Sequence, residues 1–97
     1  MKYSLHPEAE SDLREAAEFY GERAGSGLSQ ALLTEFERAV ELLLRHPGLG
    51  SLWRHGTRRH IMNRFPFSLI YAVAGEEIRI LAVAHHSRRP GYWRHRK

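Results

Sequence analysis

Residues 58–84 read RRHIMNRFPFSLIYAVAGEEIRILAVA, and the pattern in this stretch has a period of two. Arg58, His60, Met62 and Arg64 alternate with Arg59, Ile61, Asn63 and Phe65. That alternation predicts a strand, because successive side chains of a strand point to opposite faces. Pro66 interrupts it, as proline does at a strand end or edge, having no N–H for the ladder. Phe67 to Val73 is rich in aromatic and aliphatic residues, Ala74-Gly75-Glu76 turns the chain, and Glu77 to Ala84 returns with Ile78, Ile80, Leu81 and Val83. Three consecutive strands with short turns predict an antiparallel meander.

Upstream the period changes to that of a helix. Leu28, Leu32, Phe36, Ala39, Val40, Leu43 and Leu44 form a wide apolar stripe, with Glu35, Glu37, Arg38 and Glu41 on the other side. His46-Pro47-Gly48 ends it, since proline cannot continue a helix. Ala9, Leu13, Ala16, Ala17 and Tyr20 place an earlier helix over 7–23, opened by Pro7 and by the acidic Glu8, Glu10 and Asp12. Gly21 to Gly27 is the expected turn between the two, giving an antiparallel hairpin. Met1 to Leu5 reads as a short first strand. Gly48 to Gly56 reads as a loop with Leu49, Leu52 and Trp53 packed beneath it. The expected fold class is therefore α+β: an N-terminal strand, a two-helix hairpin and a three-stranded antiparallel meander, with the helices on one face of the sheet.

The 97 residues make one domain, with a basic tail over 85–97. There is no cysteine, which excludes disulfide staples, thiolate metal sites and cysteine nucleophiles and points to a reducing, cytoplasmic setting. No window has the roughly 18 apolar residues of a membrane span, and no apolar run follows Lys2 to make a signal peptide. Residues 1–46 hold five Lys/Arg against nine Asp/Glu, net −4, and residues 47–97 hold ten against two, net +8. A half so basic is a surface for a polyanion or an acidic protein.

Among sites of chemistry, adjacent His85 and His86 point to opposite faces of a strand and make poor joint ligands. No metal and no cofactor is expected. Ser51, Thr57, Ser68 and Ser87 sit in no nucleophile elbow. Arg58, Arg59, Arg64, Arg88, Arg89, Arg94 and Arg96 interleave with Tyr92 and Trp93. Arginines of this kind contact phosphate or an acidic partner. Histidine and tyrosine are the residues able to carry protons in a metal-independent ribonuclease. The basic tail, Arg88 to Lys97, is expected to be an effector element rather than a folding element, with Tyr92 and Trp93 pinning its start to the sheet and Arg94 to Lys97 adding almost nothing to stability.

Five pieces, in order, carry a resemblance: Ala9-x-x-Asp12-Leu13; Leu43-x-x-x-Pro47-x-x-Gly50; Phe65-Pro66-Phe67-x-x-x-Tyr71; Ile78-x-Ile80-x-x-Val83-x-His85; and Arg88-x-Pro90-x-Tyr92-Trp93-x-x-Arg96. Together they resemble the RelE/ParE superfamily of toxins from type II toxin–antitoxin systems, with the ending nearer the ParE, or plasmid-stabilisation, branch. The resemblance implies a growth-inhibiting toxin neutralised by an acidic antitoxin, with an oligomer assembled through that complex. It implies DNA gyrase as target without catalysis for a ParE-like chain, or the ribosome and its mRNA for a RelE-like endoribonuclease. In the nucleases an arginine after the last strand is followed six residues later by a tyrosine; here those positions hold His86 and Tyr92. A second nuclease arginine falls on Asn63, and a basic pair falls on Arg59 and Ile61. The antitoxin segment would lie in an apolar groove, for which Phe19, Leu42, Leu52 and Trp53 are the candidates.

Overall fold

The computed structural model describes all 97 residues. In chain order the elements are β1 (Lys2–Leu5), α1 (Pro7–Ala24), α2 (Ser26–Arg45), β2 (Ser51–Leu52), a 3-10 turn (Arg54–Gly56), β3 (Arg58–Ile61), β4 (Phe67–Ala74) and β5 (Glu77–His85). The sheet order is β1-β5-β4-β3-β2. The expected meander β3-β4-β5 is its centre and is antiparallel throughout. The first strand adds beside β5 in parallel, Tyr3 opposite Ile78 and Leu5 opposite Ile80. The sheet is thus mixed and five-stranded.

α1 starts where the chemistry favours it. The His6 Nδ1 accepts from the Glu8 N–H at 3.0 Å, Pro7 takes the first turn, and Glu8 and Glu10 complement the helix dipole. The interhelix turn is shorter than the sequence suggests. α1 continues through Gly21, and the break is Gly25 alone, at φ +89°. This left-handed backbone favours glycine. Ala9 and Ala16 are fully or almost fully buried, and their small side chains let α1 lie close against its neighbours. Leu32, Phe36, Ala39, Val40 and Leu43 of α2 join Leu69, Tyr71, Ile78, Ile80 and Val83 of the sheet in the main core.

The 48–56 segment corrects the sequence reading. It contains the edge strand β2 and the 3-10 turn. Leu49 and Leu52 are not packed under it but stand exposed, Leu52 at 77%. What holds the segment is Tyr71, completely buried, whose hydroxyl donates to the Pro47 carbonyl at 2.8 Å and accepts from the Gly50 N–H at 2.9 Å.

The second sheet face carries its own small core of Ile70, Leu81, Ala82, Ala84 and Trp93, flanked by Trp53, Ala72 and Tyr92. A register shift makes it. Tyr71 pairs with Ile80 and Ile70 with Ala82, so Leu81 is the extra residue of a β-bulge. Leu81 and Ala82, though consecutive, therefore both join this second core while Ile80 and Val83 join the first.

Candidate functional site

Two of the sequence-predicted site residues, Tyr92 and Arg96, meet at the far end of β5, where β1 has already left the sheet. Beyond Ile80, whose carbonyl accepts from the His6 N–H, β5 has no strand on that side. Two side chains fill the gap. The Asp12 carboxylate accepts from the Val83 N–H at 3.1 Å, and Arg96 Nη1 donates to the Leu81 carbonyl at 2.9 Å. These two also pair with each other at 2.7 Å, and Tyr92 donates its hydroxyl to Asp12 at 3.4 Å. Helix α1, the bulge and the tail thus meet at one carboxylate.

Arg96 is therefore not a free tail residue. Its side chain is only 7% exposed. The Glu8 carboxylate lies 3.3 Å from its Nε and from His95 Nε2, although for Arg96 Nε the contact is charge proximity without hydrogen-bond geometry. The Lys97 carbonyl oxygen accepts from Arg79 at 3.0 Å. The structure differs from the expectation that residues 94–97 take no part in folding: the tail turns back along β5. Tyr92 and Trp93 do pin it, Trp93 being 2% exposed in the second core.

The remaining arginines divide by partner. Arg58 is committed to the 46–50 loop, donating to the Gly50 carbonyl at 2.7 Å and the Gly48 carbonyl at 3.2 Å. Arg59 lies over the Trp53 ring at 4.0 Å, and Arg88 over the Tyr92 ring at 4.0 Å. Arg64 adopts φ +71° and sits 5.5 Å from the Phe65 ring. Arg89 and Arg94 are exposed. None of these six has a carboxylate within 4 Å.

Two clefts flank the turn after β5. The first, about 370 Å³, opens between α1 and the end of β5 over Phe19, Tyr20, Phe67 and Val83, with Asp12, Glu15, His85, Arg88 and Tyr92 at its edge. The second, about 60 Å³, lies on the other side of the sheet and holds His86 with Trp53, Arg59, Ser68, Arg88 and Trp93. His86 and Tyr92 thus face different clefts. The His86 Nε2 contacts the buried Ser68 hydroxyl at 3.1 Å. Burial, reinforced by the Asp12 charge, pushes the Tyr92 phenol up to about 12, against the opposing pull of Arg96 and Arg88. Asn63 is exposed, as is Ile61 at 52%.

The four groove candidates do not form one surface. Phe19 lines the first cleft and Trp53 the second. Leu42 is exposed on α2, and Leu52 stands on the edge strand β2. A groove of about 520 Å³ lies elsewhere, lined by Tyr3, Leu13, Leu33, Phe36, Val40 and Leu44, with Glu37 and Glu41. Its signal in the sequence is Leu33, an apolar residue beside the main stripe of α2. No cluster of three or more histidine, aspartate or glutamate side chains could hold a metal ion. No helix is long and apolar enough to cross a membrane.

A family model described as the ParE toxin of type II toxin–antitoxin system, parDE, matches residues 3–90. No curated protein matches this chain. Among solved structures, one described as the chromosomal ParDE TA system from P. aeruginosa has a TM-score of 0.78 and 25% identity, covering 88% of this chain and 95% of that one. The matched span runs from within β1 into the turn after β5, taking in the hairpin and the strands β2 to β5 and stopping short of Tyr92 and Trp93: the chain belongs to the ParE toxin family of type II toxin–antitoxin systems.

Proposed function

We propose that this toxin arrests growth by acting on DNA gyrase as a non-catalytic inhibitor, and that a cognate acidic antitoxin neutralises it. The observation that carries the first half is the separation of the two candidate proton carriers. A general base and a general acid must reach one reacting phosphate. His86 and Tyr92 instead have different partners, His86 the Ser68 hydroxyl and the Tyr92 hydroxyl Asp12. A phenol held near 12 is also poorly matched to proton transfer at neutral pH. These contacts favour a toxin that works by docking, which needs only a surface. Arg59, Arg64, Arg88, Arg89 and Arg94 supply one, free of acidic partners.

The antitoxin half rests on charge and on the first cleft. The C-terminal half carries net +8, so an acidic partner would be steered to it, gaining more in association rate than in affinity. The cleft over Phe19, Tyr20 and Phe67 offers an apolar seat beside His85 and Arg88. Inducing the toxin alone in cells, then mapping gyrase-linked DNA breaks and mRNA ends in parallel, tests the target. Breaks without codon-phased mRNA cuts are expected; phased cuts without breaks would reverse the reading.

A further inference from the structure

β1 is an outer strand of the sheet, and one of its edges is open. The Lys2 N–H donates to the Glu76 carbonyl and the His6 N–H to the Ile80 carbonyl. The even-numbered residues of this parallel strand thus direct their backbone groups at β5, and those of Tyr3 and Leu5 point away from the sheet. Beside this edge lies the groove of about 520 Å³. Tyr3, 45% exposed, lines it from β1, and Leu33, Phe36, Val40 and Leu44 line it from α2. Glu37 and Glu41 share that wall, and no Lys, Arg or His lines the groove. Neither carboxylate has a cation within 4 Å. Acids four residues apart on a helix repel each other, so this wall holds two unpaired, mutually repelling charges over an apolar floor.

We propose that this edge and groove dock an extended, cationic segment of a partner protein, which adds as a further strand outside β1. Strand addition takes its affinity from main-chain hydrogen bonds and its selectivity from pockets for alternate side chains. Here the groove takes apolar side chains and the stems of Lys or Arg, whose charged heads reach Glu37 and Glu41. Charge decides between occupants. The acidic antitoxin proposed above is drawn to the basic half of the chain and repelled by this wall. A second copy joined β1 to β1 about a two-fold axis would set two rows of Glu37 and Glu41 on one side of the joined sheet. A cationic strand relieves the repulsion that both of these increase. None of the arginines assigned to the target lines this groove, so the surface is separate from the one that meets the target.

The probe is a short peptide blocked at both ends, Val-Thr-Lys-Thr-Val-Thr-Lys, which presents valine and lysine on one face when extended. It is titrated into the full-length chain at low salt, and the resonances of Tyr3, Leu33 and Leu44 are followed. They should move with this peptide and stay fixed with its counterpart carrying Glu in place of Lys. Methylating alternate peptide nitrogens, which removes the donors of one strand edge, should abolish the response. Glu37→Gln/Glu41→Gln should weaken binding roughly three- to tenfold, the scale of two exposed ion pairs. Glu22→Gln, at an exposed residue of α1, should leave it unchanged. Amide dispersion shows that each variant is folded. No response to the lysine peptide, an equal response to the glutamate peptide, or unchanged binding in the folded Glu37→Gln/Glu41→Gln variant would overturn the proposal. Binding that survives nitrogen methylation would overturn strand addition. Shifts at Tyr3 that grow with protein concentration before any peptide is added would give the edge to a second copy and overturn it as well.

Discussion

The Arg96 guanidinium and the Asp12 carboxylate, 84 residues apart, meet at 2.7 Å and between them cap the two backbone groups that β5 leaves open at its bulge, the Leu81 carbonyl and the Val83 N–H. The pair is largely shielded, Arg96 at 7% and Asp12 at 13% side-chain exposure. A shielded pair is not strongly stabilising by itself, but removing one member strands the other. Arg96→Ala should therefore cost about 3 kcal/mol, and a chain cut after Trp93 should lose at least as much. Arg94→Ala, at an exposed residue two positions earlier, should cost under about 0.5 kcal/mol. Thermal melts of the three variants decide it. Equal melting temperatures for Arg96→Ala and the parent would return the tail to a solvated end.

Gly50 and Tyr71 form a second pair whose geometry leaves no slack. A Cβ on Gly50 would lie 2.6 Å from the Tyr71 hydroxyl and 3.0 Å from the Arg59 carbonyl. Gly50→Ala must displace a buried ring or the β3 backbone, so a loss of about 2–3 kcal/mol is expected. Tyr71→Phe keeps the ring but orphans the Gly50 N–H and the Pro47 carbonyl. A loss of about 1–3 kcal/mol follows. In the double variant the clash with the hydroxyl disappears, so the two losses should be less than additive in denaturant melts.

These two pairs mark how far the sequence could be read. The period-two run and the α2 stripe were legible because each is a local repeat, and the meander and hairpin follow from them. Pro47, Gly50 and Tyr71 were visible as motif positions, but their reason is a contact across 21 to 24 residues that no local pattern displays. The parallel seat of β1 was hidden too, since four alternating residues do not name a partner strand. The bulge lay within an unbroken apolar run, Ile80 to Ala84, where a change of face leaves no polar trace. Arg96 was the largest miss. Among so many cations it looked like one more solvated charge, and only Asp12, at the other end of the chain, makes it a structural residue. The four groove candidates lie apart for a related reason: apolar residues beside a stripe share exposure but not a face.

Acid should weaken the fold through His6 and His60. Burial lowers the pKa of both below the ordinary 6.5, helped at His6 by the Arg79 charge. A histidine depressed in the folded state takes up its proton more readily when unfolded. Its contribution is therefore complete above pH 6.5 and is lost as pH falls through the lowered folded value. For His6 the cause is direct, since a protonated Nδ1 cannot accept from the Glu8 N–H that caps α1. His6→Asn keeps a cap acceptor that does not titrate. Chemical denaturation between pH 7 and pH 5 should show a shallower loss of stability for His6→Asn and for His60→Gln than for the parent. A slope unchanged in both would place the acid sensitivity elsewhere.

Toxicity itself should survive removal of the candidate proton carriers. His86→Ala deletes an exposed ring whose contact is the Ser68 hydroxyl at 3.1 Å, and Tyr92→Phe deletes a hydroxyl whose acceptor is Asp12 at 3.4 Å. Asp12 keeps Arg96 and the Val83 N–H, so the fold should lose no more than about 1 kcal/mol. A nuclease using either group would lose about 10²–10⁴ in rate, enough to abolish growth arrest at ordinary expression. A docking toxin would keep its action, because Arg88 still lies over the aromatic ring of residue 92. The decisive strain is the His86→Ala/Tyr92→Phe double variant, expressed without antitoxin and scored by growth, with circular dichroism to show that it is folded. Growth arrest equal to the parent is the expected result. Full loss of toxicity in a folded double variant would restore catalysis, and with it the ribosome, as the target.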